Sequence, residues 1–175
     1  MDNQERISPT RVLVSAGSKH GATDEIGQRI AGVLTARGYD VTYSDPDQVE
    51  DVSGYDAVVL GSAVYAGHWV AEAKALAELV AESSLVHTWL FSSGPIGDPP
   101  KPEEEPVDVA AIVAATSARE HRVFAGKIDR SKLNFGEKAI VMALRAAEGD
   151  FRDWEEIEGW ANEIADSLER EVSGT

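Results

Sequence analysis

Five short apolar runs, separated by stretches of helical period, constrain the fold of this chain more than any other feature. The runs occupy residues 12–14, 41–43, 57–60, 86–91 and 122–124, and the third, Ala57-Val58-Val59-Leu60, is apolar at every position. A run of that kind suits a strand covered on both faces, because a half-exposed strand alternates. Between the runs the period changes. Ile26, Ile30, Val33 and Leu34 form one buried stripe, Ala73, Leu76, Ala77 and Val80 a second, and Ile157, Ala161, Ile164, Ala165 and Leu168 a third. A further helix is expected over 107–115. Strands alternating with helices return parallel to one another through right-handed crossovers. The expected class is therefore α/β, a parallel sheet with helices on both faces, in three layers. Gly38 stands where a glycine closes the first helix, Asp45-Pro46 stops the second strand, and Asp153-Trp154 announces the last helix.

The first run leads into the stretch with the most chemistry. From Val12 to Thr23 the chain reads Val-Leu-Val-Ser-Ala-Gly-Ser-Lys-His-Gly-Ala-Thr: a strand, then a loop with Gly17, Ser18, Lys19, His20 and Gly21, then a helical pattern from Asp24. A strand emptying through such a loop aims backbone N–H groups and the positive end of a helix dipole at one spot, which favours an anion such as phosphate. The Walker pattern fails, because Gly21 is followed by Ala22-Thr23 rather than Lys and a hydroxyl residue. The dinucleotide fingerprint fails too, having two glycines where three are needed.

The stretch resembles the flavodoxin phosphate loop, with Ser18, Gly21 and Thr23 at the family's hydroxyl, small and Thr positions and Gly27 where a small residue lets the helix sit close to the sheet. Ser15, Ala16, His20 and Ala22 depart from the family's usual residues. The resemblance implies a flavodoxin-like five-stranded parallel sheet of order 2-1-3-4-5, with the 5'-phosphate of FMN held by residues 18–23 (Ser18, Lys19, His20, Gly21, Ala22 and Thr23). A receiver domain, the competing five-stranded fold, would need an Asp at the end of the third strand, where this chain has Gly61-Ser62.

Two more loops fall at carboxyl ends of strands in this topology, where such sheets bind ligands. The loop at 61–69 offers Ser62, Ala63, Val64, Tyr65, Gly67, His68 and Trp69, with Tyr65 and Trp69 as stacking partners for a flat ring. His68 is read either as a partner of the ring or as a cap on the following helix. The loop at 92–97 offers Ser92, Ser93, Gly94 and Gly97 to the pyrimidine edge, and the prolines and Glu103-Glu104-Glu105 continue it to residue 106. Residues 61–68, Phe124-Ala125-Gly126, an insertion over 127–152 and Asp153-Trp154 resemble the quinone-dependent protoporphyrinogen oxidase branch of the flavodoxin-like proteins, over residues 11–168. That likeness implies porphyrinogen as substrate and a quinone as acceptor. The insertion carries Lys127, Arg130, Lys132, Lys138 and Arg145 against Asp129 and Glu137 up to residue 145, a positive segment in a chain of net charge -15. Such a segment suits propionates or anionic lipid, and equally a helix with a solvated basic face.

Composition narrows the alternatives. The chain has no cysteine, so disulfides, thiolate ligands, iron–sulfur clusters and cysteine catalysis are excluded, and redox chemistry must come from an organic cofactor. A charge of -15 argues against nucleic acid and leaves room for a basic redox protein as partner. With 175 residues, one domain over 11–172 behind a disordered tail at 1–10 is expected. No apolar run approaches ~20 residues, so the protein is read as cytoplasmic, with at most peripheral membrane contact. No metal site is indicated, no residue stands out as a general base, and the oligomeric state is left open. An electron shuttle and a flavin-free interaction module remain as alternatives to the FMN oxidoreductase.

Overall fold

The structure is a computed structural model and describes residues 10–65, 67–83, 87–94, 107–128, 130–132, 134–143 and 149–173. Each apolar run becomes a strand, β1 (Arg11–Gly17), β2 (Asp40–Tyr43), β3 (Ala57–Tyr65), β5 (His87–Ser93) and β6 (Glu120–Phe124), and a two-residue strand outside the runs, β4 (His68–Trp69), follows β3. Helices α1 (Ala22–Ala36), α2 (Ala71–Glu82) and α3 (Val109–Thr116) lie between them. The insertion opens with β7 (Lys127–Ile128), carries α4 (Phe135–Ala143) and closes with β8 (Gly149–Asp150). The chain then enters α5 (Trp154–Ser173), where the amide of Glu156 donates to Asp153 Oδ1 at 3.1 Å.

The main sheet runs β2-β1-β3-β5-β6, all parallel. Counting its five long strands, this is the order 2-1-3-4-5 of the flavodoxin-like expectation. Side chains alternate faces, as the period of two requires. Val12, Val14, Ala16, Val59 and Phe91 meet α1 and α5, whereas Leu13, Val58, Leu60 and Leu90 meet α2 and α3. The three layers follow from that division. Behind α5, the rings of Phe91, Phe124 and Trp160 pack with centroids 5.5 to 6.0 Å apart, and Trp160 Nε1 donates to Glu120 Oε2 at 3.1 Å.

The strands run further toward their carboxyl ends than the apolar runs do. Ser15, Ala16 and Gly17 continue β1, paired with Leu60, Gly61 and Ser62. The reading of 61–69 as one loop is corrected: β3 continues to Tyr65 and turns back antiparallel, with Val64 opposite Trp69 and Tyr65 opposite His68. Ser92 and Ser93, read as loop, are strand residues paired with Val123 and Phe124. The cause is tertiary. Small residues with little strand propensity are extended here because each is bonded to neighbouring strands and pressed by helices. Gly17 shows the pressure, since a Cβ there would lie 2.4 Å from Val70 Cγ2. Helix α1 likewise starts at Ala22 rather than Asp24, and α3 covers Val109–Thr116 rather than 107–115.

The tail at 1–9, Val86 at the start of the fourth run, Gly97 with the rest of 95–106, and Arg145 lie outside the described residues. Among the described residues no helix is long and apolar enough to cross a membrane.

Candidate functional site

The ends of β1, β3 and β5 bring the site together. After β1, Gly21 takes φ +88°, a left-handed conformation open to glycine without steric cost. Its N–H donates to Ser18 Oγ at 2.9 Å, and its carbonyl accepts the amide of Glu25 at 3.1 Å, which starts α1. The amides of the first turn, with no carbonyl one turn earlier to meet them, face the same way as the positive end of the helix dipole. Thr23 is buried just inside that turn. The two acids of the turn are drawn aside. Asp24 accepts hydrogen bonds from Gln28 Nε2 at 2.8 Å and from the Tyr43 hydroxyl, and Glu25 takes Arg152 Nη1 at 2.5 Å. Burial, helped by Asp24, pushes the Tyr43 phenol well above its ordinary value.

The β3–β4 turn supplies the opposite wall. Tyr65 is half-buried, with Lys19 Nζ 4.6 Å from its ring centroid and His20 edge-on to it at 6.3 Å. His20 Nε2 donates to Glu137 Oε2 at 2.7 Å, so α4 closes on the first loop. That bond holds the Glu137 carboxyl below the ordinary carboxylate range, against the opposing effect of its own burial. Burial, and next the charge of Glu137, push the Tyr65 phenol up to about 12. Phenolate absorbance lost on Tyr65→Phe is therefore expected to appear near pH 12. Its appearance at the ordinary value of about 10 would mean that the ring is not covered by this loop.

Other residues expected at the site have their side chains engaged inside the protein. Ser62 Oγ donates to Ala63 O at 2.8 Å and accepts the amide of Val70 at 3.0 Å, which ties β3 to the start of α2. Ala63 and Val64 are buried, and Val64 belongs to the core under α2 and α3. Trp69 is 3% exposed in that core, its indole N–H donating to Ser92 Oγ at 2.8 Å, and Ser92 in turn meets His121 Nε2 at 2.8 Å. Tyr65 rather than Trp69 is thus the aromatic residue beside the first loop. Ser93 is buried at the end of β5, and the amide of Gly94 is taken by Phe124 O at 3.1 Å. Gly67, at the tip of the turn, accepts the amide of Val107 at 2.8 Å.

Three residues with no role assigned to them from the sequence organise this end of the sheet. Asp108 Oδ2 accepts from the Trp69 amide at 3.1 Å and from His68 Nδ1 at 3.2 Å, with Lys74 Nζ at 3.7 Å, so His68 binds the start of α3. Glu137 is the second. The third, Arg152, is 4% exposed and joins Asp150, Glu25 and the carbonyl of Ala22 while its guanidinium lies 4.7 Å over the Trp154 ring. No local motif marks any of the three. The insertion's lysines behave differently, since Lys127, Lys132 and Lys138 are exposed, whereas the acid Glu137 turns to the first loop.

A family profile described as a flavodoxin domain matches residues 13–154. The chain belongs to the flavodoxin domain family. Solved structures agree on the fold. The flavodoxin of Streptococcus pneumonia TIGR4 superposes with a TM-score of 0.61 at 18% identity, over 90% of this chain and 99% of that one. A flavodoxin from the domain Archaea gives 0.62 at 15% identity, over 91% and 99%. The rubredoxin oxygen:oxidoreductase of Desulfovibrio gigas gives 0.64 at 13% identity; the match covers 94% of this flavodoxin domain but only 38% of that larger chain. No significant match is found among curated proteins. Flavodoxins carry FMN as their cofactor.

The donor set fits that cofactor's phosphate end. First-turn amides, the Ser18 and Thr23 hydroxyls and Lys19 are the groups that satisfy a phosphate without a metal. Tyr65 offers a ring face now covered by the ammonium of Lys19, which a phosphate would attract.

Proposed function

We propose that this flavodoxin domain binds one FMN non-covalently and works as an oxidoreductase. The observation that carries the reading is the convergence of the 18–23 loop, the first turn of α1 and the Tyr65 ring at the carboxyl end of β1 and β3. In this reading Ser18, Thr23 and the loop amides hold the phosphate, Lys19 neutralises part of its charge, and Tyr65 flanks the ring. FMN would supply the capacity to take up and release electrons singly or in pairs. The protein's own groups bind, orient and shield it.

The finer reading is an enzyme that oxidises a porphyrinogen and passes electrons to a quinone. What supports it is the insertion, one of the features that resemble the protoporphyrinogen oxidase branch, tied beside the first loop by His20–Glu137 and Arg152–Glu25. The second reading, an electron carrier docking on a basic protein, is favoured by the net charge of -15 and by the fold shared with flavodoxins over nearly the whole chain.

Purified protein is expected to be yellow and to release FMN on heating. Thr23→Val should weaken FMN binding by about 1 to 3 kcal/mol through loss of one phosphate hydroxyl. Colourless protein that takes up no added FMN would instead identify a flavin-free interaction module. Reduced protein reoxidised by a menaquinone analogue, together with oxidised protein bleached by protoporphyrinogen IX, would support the enzyme. Inertness to both with a stable one-electron reduced state would support the carrier.

A further inference from the structure

His20 and Glu137 are 117 residues apart in sequence, yet their side chains meet at 2.7 Å and are only 25% and 14% exposed. Glu137 sits in the first turn of α4, where its amide donates to Asn134 Oδ1 at 2.8 Å, so the carboxylate is presented from a regular element. His20 has two ring nitrogens. Nε2 is engaged by Glu137, and among the described residues Nδ1 has no hydrogen-bond partner. A carboxylate behind an imidazole fixes the orientation of the ring and leaves the far nitrogen to face a partner. Among the described residues, the other charged or titratable groups facing this pair are Lys19 and Tyr65.

We propose that Glu137, contributed by the insertion, is the positioning residue that aims His20 at the phosphate of the flavin, and that phosphate binding in turn draws α4 over the site. The inference rests on the FMN reading and adds to it a specificity device. A flavin with a phosphate engages His20 and, through it, α4; riboflavin has nothing for His20 to hold. Because coupling is reciprocal, whatever α4 adds to phosphate affinity, phosphate adds to the docking of α4.

The test compares FMN and riboflavin on apoprotein by flavin fluorescence, and follows amide exchange over 135–143. Glu137→Ala is expected to weaken FMN by about tenfold and leave riboflavin unchanged. Glu137→Gln, which keeps an acceptor without the charge, should fall between. In a His20→Gln background Glu137→Ala should add nothing. In the parent protein FMN should slow exchange in α4 and riboflavin should not, and Glu137→Ala should abolish that difference. Equal losses for both flavins would make Glu137 a merely structural residue and overturn the proposal. So would unchanged FMN affinity and exchange in a parent that binds FMN normally. A parent that binds neither flavin would remove the FMN reading, and the inference with it.

Discussion

Gly61→Ala is expected to cost about 3 kcal/mol of stability, the upper end for overpacking a core, which in a domain of this size is a fall of roughly 6 to 12 °C in Tm. A Cβ at Gly61 would lie 2.0 Å from Phe91 Cζ and 2.3 Å from the two neighbouring ring carbons. Phe91 has no room to yield: it is fully buried, with the Phe124 and Trp160 rings each 6.0 Å away. The substitution also strains the strand that carries Tyr65 to the site, since β3 is hydrogen-bonded to β1 and β5 on either side of Gly61. Thermal unfolding followed by circular dichroism measures the loss. The cause is separable by placing the same substitution on a Phe91→Ala background, where it should cost little. An equal cost in both backgrounds would show that the ring is not what the methyl meets.

Arg152→Ala is the second large effect, and it reaches both the fold and the site. The guanidinium is nearly buried, bonded to Asp150 at 2.7 and 2.9 Å, to Glu25 at 2.5 Å and to the Ala22 carbonyl at 3.1 Å. Breaking a fully buried pair costs about 3 to 5 kcal/mol. Here Glu25 and Asp150 are 56% and 41% exposed and can turn to water, so a loss of about 1 to 3 kcal/mol is expected. The loss should concentrate at the foot of the insertion, where Lys127 and Ile128 pair with Asp150 and Gly149, and appear as faster amide exchange there. It also frees the charge of Glu25 in the first turn of α1, beside the expected phosphate. FMN affinity should fall by about 1 kcal/mol on that account, more at low salt than at high salt. Arg152→Lys keeps the charge but loses the fork, and should restore the affinity more than the exchange protection. Insertion exchange and FMN affinity both unchanged in Arg152→Ala would show that the fork does not hold the two parts together.

Much of the architecture was legible because it is written locally. The apolar runs of β1, β3 and β5 and the period of 3.6 in α1, α2 and α5 each report how a segment is covered, whatever it is covered by. Gly38, at φ +95°, closes α1 as its position suggested, and Gly27 leaves 3.0 Å between a would-be Cβ and Tyr43, the close approach that a small residue there implies. The turn of the first loop was legible for the same reason, since Ser18, Gly21 and Thr23 lie close together in sequence and the Ser18–Gly21 bond closes within one turn of chain.

What the sequence could not decide is where strands end and which distant side chains meet. Ser15, Ala16, Gly17, Ser62, Ser92 and Ser93 carry the composition of loops, yet they are strand because β3 pairs with the first three, strands on both sides pair with the serines of β3 and β5, and helices close over them. The hydroxyl of Ser62 is directed to the Val70 amide, and the indole of Trp69 to Ser92, by packing that no local pattern encodes. His20 and Glu137 are separated by 117 residues, and Arg152 and Glu25 by 127. By itself the sequence determined the strands, the helices and the strand–loop–helix turn after β1, because those depend on the backbone and side chains of a few consecutive residues. Only the tertiary structure decided that the insertion's Glu137 would sit on His20, because that contact exists only after every crossover has brought α4 back to the end of β1.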